Sequence, residues 1–303
     1  MFTKLIATLL PYLPKKLVWM FSKEYIAGEN LGEALKNAKK LNNEKIMTTL
    51  DVLGEFITTL EEANINKQEY LQVIEEAEKI GIEGNYSLKP TFFGLLIDKK
   101  VAYDHIRDVV ARAAEYNNFV RIDMEDSPCT DLEIELFRSL RKEFPKNVGL
   151  VVQSYLKRTH ADIKGLLDIH SKENPVNLRL CKGIYVEPAA ISYKDPREIN
   201  KNFLNDLEFM FETGMYPAIA THDKQLVEGA FRLIEKYGVA VDGYEFQMLY
   251  GVTPALRRSI LEKGHRMRVY VPFGKQWFGY STRRLKENPQ MAGVIIKAIF
   301  KKG

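Results

Sequence analysis

The chain has 303 residues, 46% of them hydrophobic and 28% charged, a composition that supports a sizeable buried core and excludes a disordered or fibrous chain. Its 44 basic and 40 acidic residues leave a net charge of only +4, with the basic residues dispersed among acids, which argues against a nucleic-acid-binding stripe. Two cysteines, Cys129 and Cys181, exclude a disulfide framework and a CxxC site and fit a reducing cytoplasm.

The N-terminal run MFTKLIATLLPYLPKKLVWMF is broken by Pro11 and Pro14 and followed by Lys15 and Lys16. It falls short of the roughly 18 continuous apolar residues that span a bilayer. It reads as an amphipathic segment packing on the domain, with a peripheral foot at the inner face of the membrane as the alternative. Residues 1–45 are expected to form two or three helices punctuated by Gly28 and Gly32, an arm or lid rather than an independent domain. From Ile46 onward, short β-branched runs alternate with long amphipathic stretches. The runs start at Ile46 (IMTTLDVL), Tyr86 (YSLKPT), Phe119 (FVRIDM), Val148 (VGLVVQS), Asn177 (NLRLCKG), Pro217 (PAIATH), Tyr244 (YEFQMLY) and Met267 (MRVYVPF), 23 to 40 residues apart. A βα unit takes about 30 residues. Helices are expected at 104–117, at 131–144 with Thr130 as N-cap, at 198–213 and at 224–237. Eight such units imply an α/β fold, a (βα)8 TIM-type barrel over 46–303.

Chemistry in such a barrel collects at the C-terminal strand ends. Here those ends are polar: Lys89, then Asp123-Met124-Glu125, Gln153, Arg179 with Lys182, Thr221-His222-Asp223, and Gln247. One charged strand end is ordinary, but six in register point to a functional site. Alternation puts Arg121, Asp123 and Glu125 on one face of their strand. Arg179 and Lys182 differ in parity, so they share a site only if the strand bends or ends near Lys182, which Gly183 allows. After the eighth strand, Tyr280, Arg283, Arg284 and Glu287 fall at i, i+3, i+4 and i+7, one helical face. Two guanidiniums there suit a bidentate carboxylate clamp, and Glu287 can orient an arginine or meet an amine. No GxGxxG, GxxxxGK[ST], HExxH or GxSxG is present, and the five histidines are scattered, so no metal site is expected. The residues alone leave open a barrel oxidoreductase, a lyase for a small carboxylate, or a non-catalytic ligand sensor.

The segments YSLKPT, RIDMED, VVQSYLKR, LRLCKGIY, ATHD, FQMLYG, VYVPFG and YSTRRLKEN, taken in this order over about 200 residues, resemble the monofunctional bacterial proline dehydrogenases and the dehydrogenase domain of bifunctional proline-utilisation enzymes. The resemblance implies a distorted barrel with a C-terminal helix capping the active site and non-covalent FAD over the strand ends. It implies oxidation of L-proline to 1-pyrroline-5-carboxylate by hydride transfer to the flavin N5, the first step of proline catabolism to glutamate. Electrons would pass to a quinone, and the product to a 1-pyrroline-5-carboxylate dehydrogenase. It assigns Asp123 and Arg179 to catalysis. Lys89, Tyr270, Tyr280, Arg283, Arg284 and Glu287 fall to the substrate, with the two arginines on the proline carboxylate. Met124, Gln153, Arg179, Lys182, Gly183, Ile184, Thr221, His222 and Gln247 fall to the flavin. Cys181 and Ile184 stand where the family pattern is expected to have Val and Ala, which puts only pocket shape in question.

Overall fold

The computed structural model describes Trp19, 22–54, 56–278, Tyr280 and Ser281. Eight parallel strands close into a barrel in sequence order, β1 to β8, with β8 pairing back onto β1. They are β1 Met47–Val52, β2 Gly84–Leu88, β3 Val120–Ile122, β4 Val148–Gln153, β5 Asn177–Cys181, β6 Tyr216–Ala220, β7 Glu245–Leu249 and β8 Met267–Phe273. The helices are α1 Leu31–Asn43, α2 Leu60–Lys79, α3 Lys99–Glu115, α4 Ser127–Glu143, α5 Thr159–Gly165, α6 Pro196–Thr213, α7 Lys224–Tyr237 and α8 Pro254–Glu262. All eight expected strands form. Among the described residues no helix is long and apolar enough to cross a membrane.

Local chemistry sets the helix starts. Thr59 and Glu62 make a reciprocal capping box at α2, and Asp98, Asp195 and Asp223 cap α3, α6 and α7 by accepting backbone N–H groups. The expected start of α4 is corrected here. Asp126 stands at its N-cap position, Ser127 and Pro128 begin it, and Thr130 is buried within the first turn. Proline needs no N–H partner at a helix start, so the helix extends back through it.

Alternation divides each strand between two environments. The outward side chains Leu50, Tyr86, Ile122, Leu150, Leu180, Ile219, Phe246 and Val269 are buried, and so are Ile74, Val109, Phe137, Phe203 and Leu207 on the helices. Each large apolar side chain taken fully out of water contributes about 1.5–3 kcal/mol. The core therefore lies between sheet and helices. The barrel interior is built differently. In place of stacked Val and Leu it holds polar side chains in two levels, and hydrogen bonds must replace what apolar packing supplies elsewhere. Helix α1 lies against β1 and β8, with Ala34, Leu35, Ala38 and Leu41 buried.

Candidate active site

The upper level of the barrel interior centres on Arg179, in the middle of β5. Its Nη1 donates to Asp123 Oδ1 at 2.6 Å and to Ser87 Oγ at 3.2 Å, and its Nε donates to Gln247 Oε1 at 2.6 Å. The guanidinium also lies over the Tyr270 ring, 5.0 Å from its centroid. Asp123 is the hub of the opposing charge, since it also accepts from Ser87 Oγ at 2.6 Å and from Tyr270 OH at 2.8 Å. Residues of β2, β5, β7 and β8, with Asp123 just past β3, thus meet in one network. Burial raises the Tyr270 phenol well above its ordinary value, and the Asp123 carboxylate adds to this, so Tyr270 stays a donor. Arg179 Nη2 makes no hydrogen bond among the described residues, which leaves that end of the fork for a ligand.

Next to this network Lys89, just past β2, donates to Asp51 Oδ1 on β1 at 3.3 Å. Burial pushes the Asp51 carboxyl up to about 6; Lys89 opposes the rise and Asp123 adds to it. Below, a second level joins Arg121, Asn177, Glu245 and Arg268. Arg121 donates to Asn177 O and Oδ1, and Arg268 pairs with Glu245 at 2.8 Å. Gly149 makes room for Arg121, because a Cβ there would sit 2.6 Å from its Nη1.

The rim carries the residues that the resemblance assigns to a cofactor. Strand β5 ends at Cys181, and Gly183 turns the chain at φ +101. The difference in parity between Arg179 and Lys182 is thereby resolved: Arg179 points into the barrel while Lys182 reaches Asp223 Oδ2 at 2.6 Å, across the end of β6. Burial would raise Asp223, but Lys182 and Asn200 donate to it and hold its carboxyl below the usual range. His222 Nε2 accepts from Leu249 N at 2.9 Å, so its ring proton sits on Nδ1. Ile184 is 53% exposed and Val186 wholly exposed. Met124 and Gln153 are buried, and Gln153 Nε2 donates to Glu125 O.

Glu125 departs from the expected alternation. Strand β3 stops at Ile122, and Glu125 turns away to accept from the Thr91 N–H and hydroxyl, while its own N–H donates to Glu133. Parity holds only within a strand, and here the strand is three residues long. Tyr280 is buried in the helical turn after β8; Arg283, Arg284 and Glu287 lie outside the described residues. Sequence reasoning missed Asp51, Ser87, Glu245 and Arg268. Their signal was present as polar residues at alternating positions of strands that otherwise read as apolar. A cavity of about 340 Å³ opens at the opposite, N-terminal mouth, lined by Arg121, Arg266, Arg268 and Asn177. The Arg121–Asn177 level separates it from the Arg179 network.

Fold and site define a (βα)8-barrel enzyme whose chemistry is charged and gathered at the C-terminal mouth. Comparison with known proteins gives the family. The model of the family described as proline dehydrogenase matches residues 34–296. Proline dehydrogenase 1 of Bacillus subtilis subsp. natto is 35% identical over 281 residues, 93% of this chain and 91% of that one. Proline dehydrogenase of Deinococcus radiodurans is 32% identical over 293 residues, 95% of this chain and 93% of that one. Among solved structures, proline utilization A from Bdellovibrio bacteriovorus inactivated by N-propargylglycine superposes with a TM-score of 0.82 at 29% identity over 88% of this chain, which spans about a third (32%) of that longer protein. The chain belongs to the proline dehydrogenase family, and its activity is that of a proline dehydrogenase.

Proposed function

We propose that the enzyme oxidises L-proline to 1-pyrroline-5-carboxylate with non-covalently bound FAD and passes the electrons to a quinone. The observation that carries this reading is the Arg179 guanidinium, held at Nε and Nη1 by Gln247, Asp123 and Ser87 with Nη2 left for a ligand. The rim fits such a cofactor. Lys182, Thr221 and His222 supply polar groups around the mouth, and the exposed Ile184 and Val186 supply apolar surface that a flat ring system can cover. When bound, FAD supplies the acceptor for the hydride that proline gives up at ring carbon 5.

The protein's own part is placement and charge. Arg179 presents a fixed positive group where electron density accumulates, in a site where burial strengthens its effect. Asp123 and Tyr270 keep that guanidinium from moving. Lys182, Gly183 and Ile184 form the turn assigned to the cofactor, with Met124, Gln153, Thr221, His222 and Gln247 around it. Lys89, Tyr270 and Tyr280 border the substrate side. Arg283 and Arg284 clamp the proline carboxylate, and Glu287 completes the pocket. The clamp selects which ring carbon meets the acceptor, an orientation effect. The product would then serve a 1-pyrroline-5-carboxylate dehydrogenase.

Acid precipitation of the purified protein tests the cofactor. FAD is expected in the supernatant, and proline should reduce a soluble quinone without nicotinamide. Flavin retained on the precipitate would contradict non-covalent binding. A colourless protein that FAD cannot reconstitute would contradict the cofactor itself.

A further inference from the structure

Glu245 opens β7 with its side chain inside the barrel, almost fully buried. Two residues on, and so on the same face, stands Gln247. Glu245 Oε1 accepts from Gln247 Nε2 at 2.6 Å and from Arg268 Nε at 2.8 Å, and Oε2 accepts from Arg268 Nη2 at 3.1 Å. Arg268 is itself anchored, with Nη1 donating to Thr48 O at 2.8 Å. Gln247 in turn accepts from Arg179 Nε at 2.6 Å. A continuous line of hydrogen bonds therefore runs from β1 and β8 through Glu245 and Gln247 to Arg179.

The direction of that line is fixed by chemistry. The two ends of a glutamine amide are nearly isosteric and can exchange places. Here they cannot. Ionised Glu245 only accepts, so the Gln247 NH2 must face it. Arg179 only donates, so the Gln247 oxygen must face Arg179. Burial would raise the Glu245 carboxyl, but Arg268 beside it, Gln247 donating to it and Arg121 nearby hold it at about 2, so it is an anion throughout the working range.

We infer that Glu245, held by Arg268, is a positioning residue for proline oxidation: by fixing the Gln247 amide it fixes the Arg179 guanidinium at the reacting centre. This rests on Arg179 being the residue that faces the flavin. Glu245 has no place in holding proline, so its loss should spare proline affinity. A guanidinium held against a flavin favours its reduced, more negative state. Loosening Arg179 should therefore lower the flavin midpoint potential and slow reduction.

The experiment compares Glu245→Gln/Arg268→Met, Gln247→Met, their combination, and Arg179→Met, each as the FAD-loaded enzyme. The paired neutral substitution avoids leaving a lone buried charge, and a neutral replacement of a buried pair is often tolerated. FAD content, midpoint potential and the rate of flavin reduction by proline are measured. The Glu245 pair and Gln247→Met should each retain FAD, shift the potential downward, and slow reduction by about 10- to 100-fold, as loss of a fixed geometry does. KM for proline should stay within about threefold, and the combination should be no worse than Gln247→Met alone, because both act through one path. Should the Glu245 pair fail to fold, Glu245→Gln in the Gln247→Met background decides, since a further fall in potential there contradicts the inference. Wild-type potential and reduction rate in the folded Glu245 pair overturn it, with Arg179→Met showing where the fault lies. If Arg179→Met alters both readouts, only the positioning role of Glu245 fails. If Arg179→Met alters neither, the placement of Arg179 at the flavin fails and takes the inference with it.

Discussion

Arg179 Nη1 and Asp123 Oδ1 lie 2.6 Å apart inside the barrel, although 56 residues of chain separate them. Both are largely buried, and each supplies charge that the other needs. Removing one partner leaves the other uncompensated. Arg179→Met and Asp123→Asn are each expected to lower the unfolding free energy by about 3 kcal/mol or more. The double variant should cost less than the sum, because the second change relieves the charge the first exposed. Denaturant titration of the four proteins measures this, and additive losses would mean that the pair is not coupled.

Tyr270→Phe keeps the ring under Arg179 but removes the hydroxyl that donates to Asp123. Loss of a hydrogen bond to a charged acceptor costs about 1.5–3 kcal/mol. Because burial and Asp123 hold the phenol well above its ordinary value, no basic limb of the rate below pH ~10 belongs to Tyr270. The variant should therefore be slower with the same pH profile. Disappearance of a basic limb in Tyr270→Phe would contradict the assignment.

Asp51 gives a pH dependence of stability with a definite sign. Its carboxyl, raised by burial to about 6, binds its proton more tightly in the folded chain than in the unfolded one. Folding therefore gains as pH falls from about 6 toward 4, and the buried anion costs stability above that window. Asp51→Asn removes the anion. Relative to the parent, its unfolding free energy should rise by about 1–3 kcal/mol between pH ~4 and ~6 and level off above. Glu245 works the opposite way: its stabilisation is present above the ordinary carboxylate range and is lost as pH falls toward 2. Denaturation curves at about pH 5 and pH 8 decide, since the window lies between ~4 and ~6. A difference between variant and parent that does not move in the variant's favour from about pH 5 to about pH 8 would refute the sign. The same change removes the Asp51 carboxylate from beside Lys89, and KM for proline should rise.

Gly183→Ala tests the turn after β5. The backbone there is at φ +101, and a Cβ would sit 2.1 Å from the Tyr155 ring. Strain of about 1–3 kcal/mol is expected, since such a conformation suits glycine alone. FAD retention should fall with it. Full FAD occupancy in a stable Gly183→Ala enzyme would remove this turn from the cofactor site.

Arg283→Met and Arg284→Met test the carboxylate clamp. Each is expected to cost roughly 2–3 kcal/mol, about 30- to 150-fold in kcat/KM, with FAD content unchanged. Values within about twofold of the parent would mean that surface ion pairing is all these residues do.

The strands were legible because β-branched runs and turn signals are local, and the strand-end polarity of Lys89, Asp123, Arg179 and Gln247 could be read without coordinates. What joins these residues could not. Ser87 stands in a quoted segment, yet nothing local says that it bridges Asp123 and Arg179 from β2. The Glu245–Arg268 pair needs β7 beside β8 in a particular register, which nothing in either segment states. Glu125 misled because the period-2 rule was carried past the end of a three-residue strand. Thr130 misled because threonine is a favoured N-cap residue, whereas the helix has already begun at Ser127 and Pro128.

Anaerobic addition of L-proline to the purified, FAD-loaded enzyme tests the central claim most directly. The oxidised flavin absorbance is expected to bleach in a single turnover, in step with one equivalent of the pyrroline product trapped by an aminobenzaldehyde. In Arg179→Met the same bleaching should be slowed by at least about tenfold. Unbleached flavin in the presence of proline, or bleaching as fast in Arg179→Met as in the parent, would contradict the account.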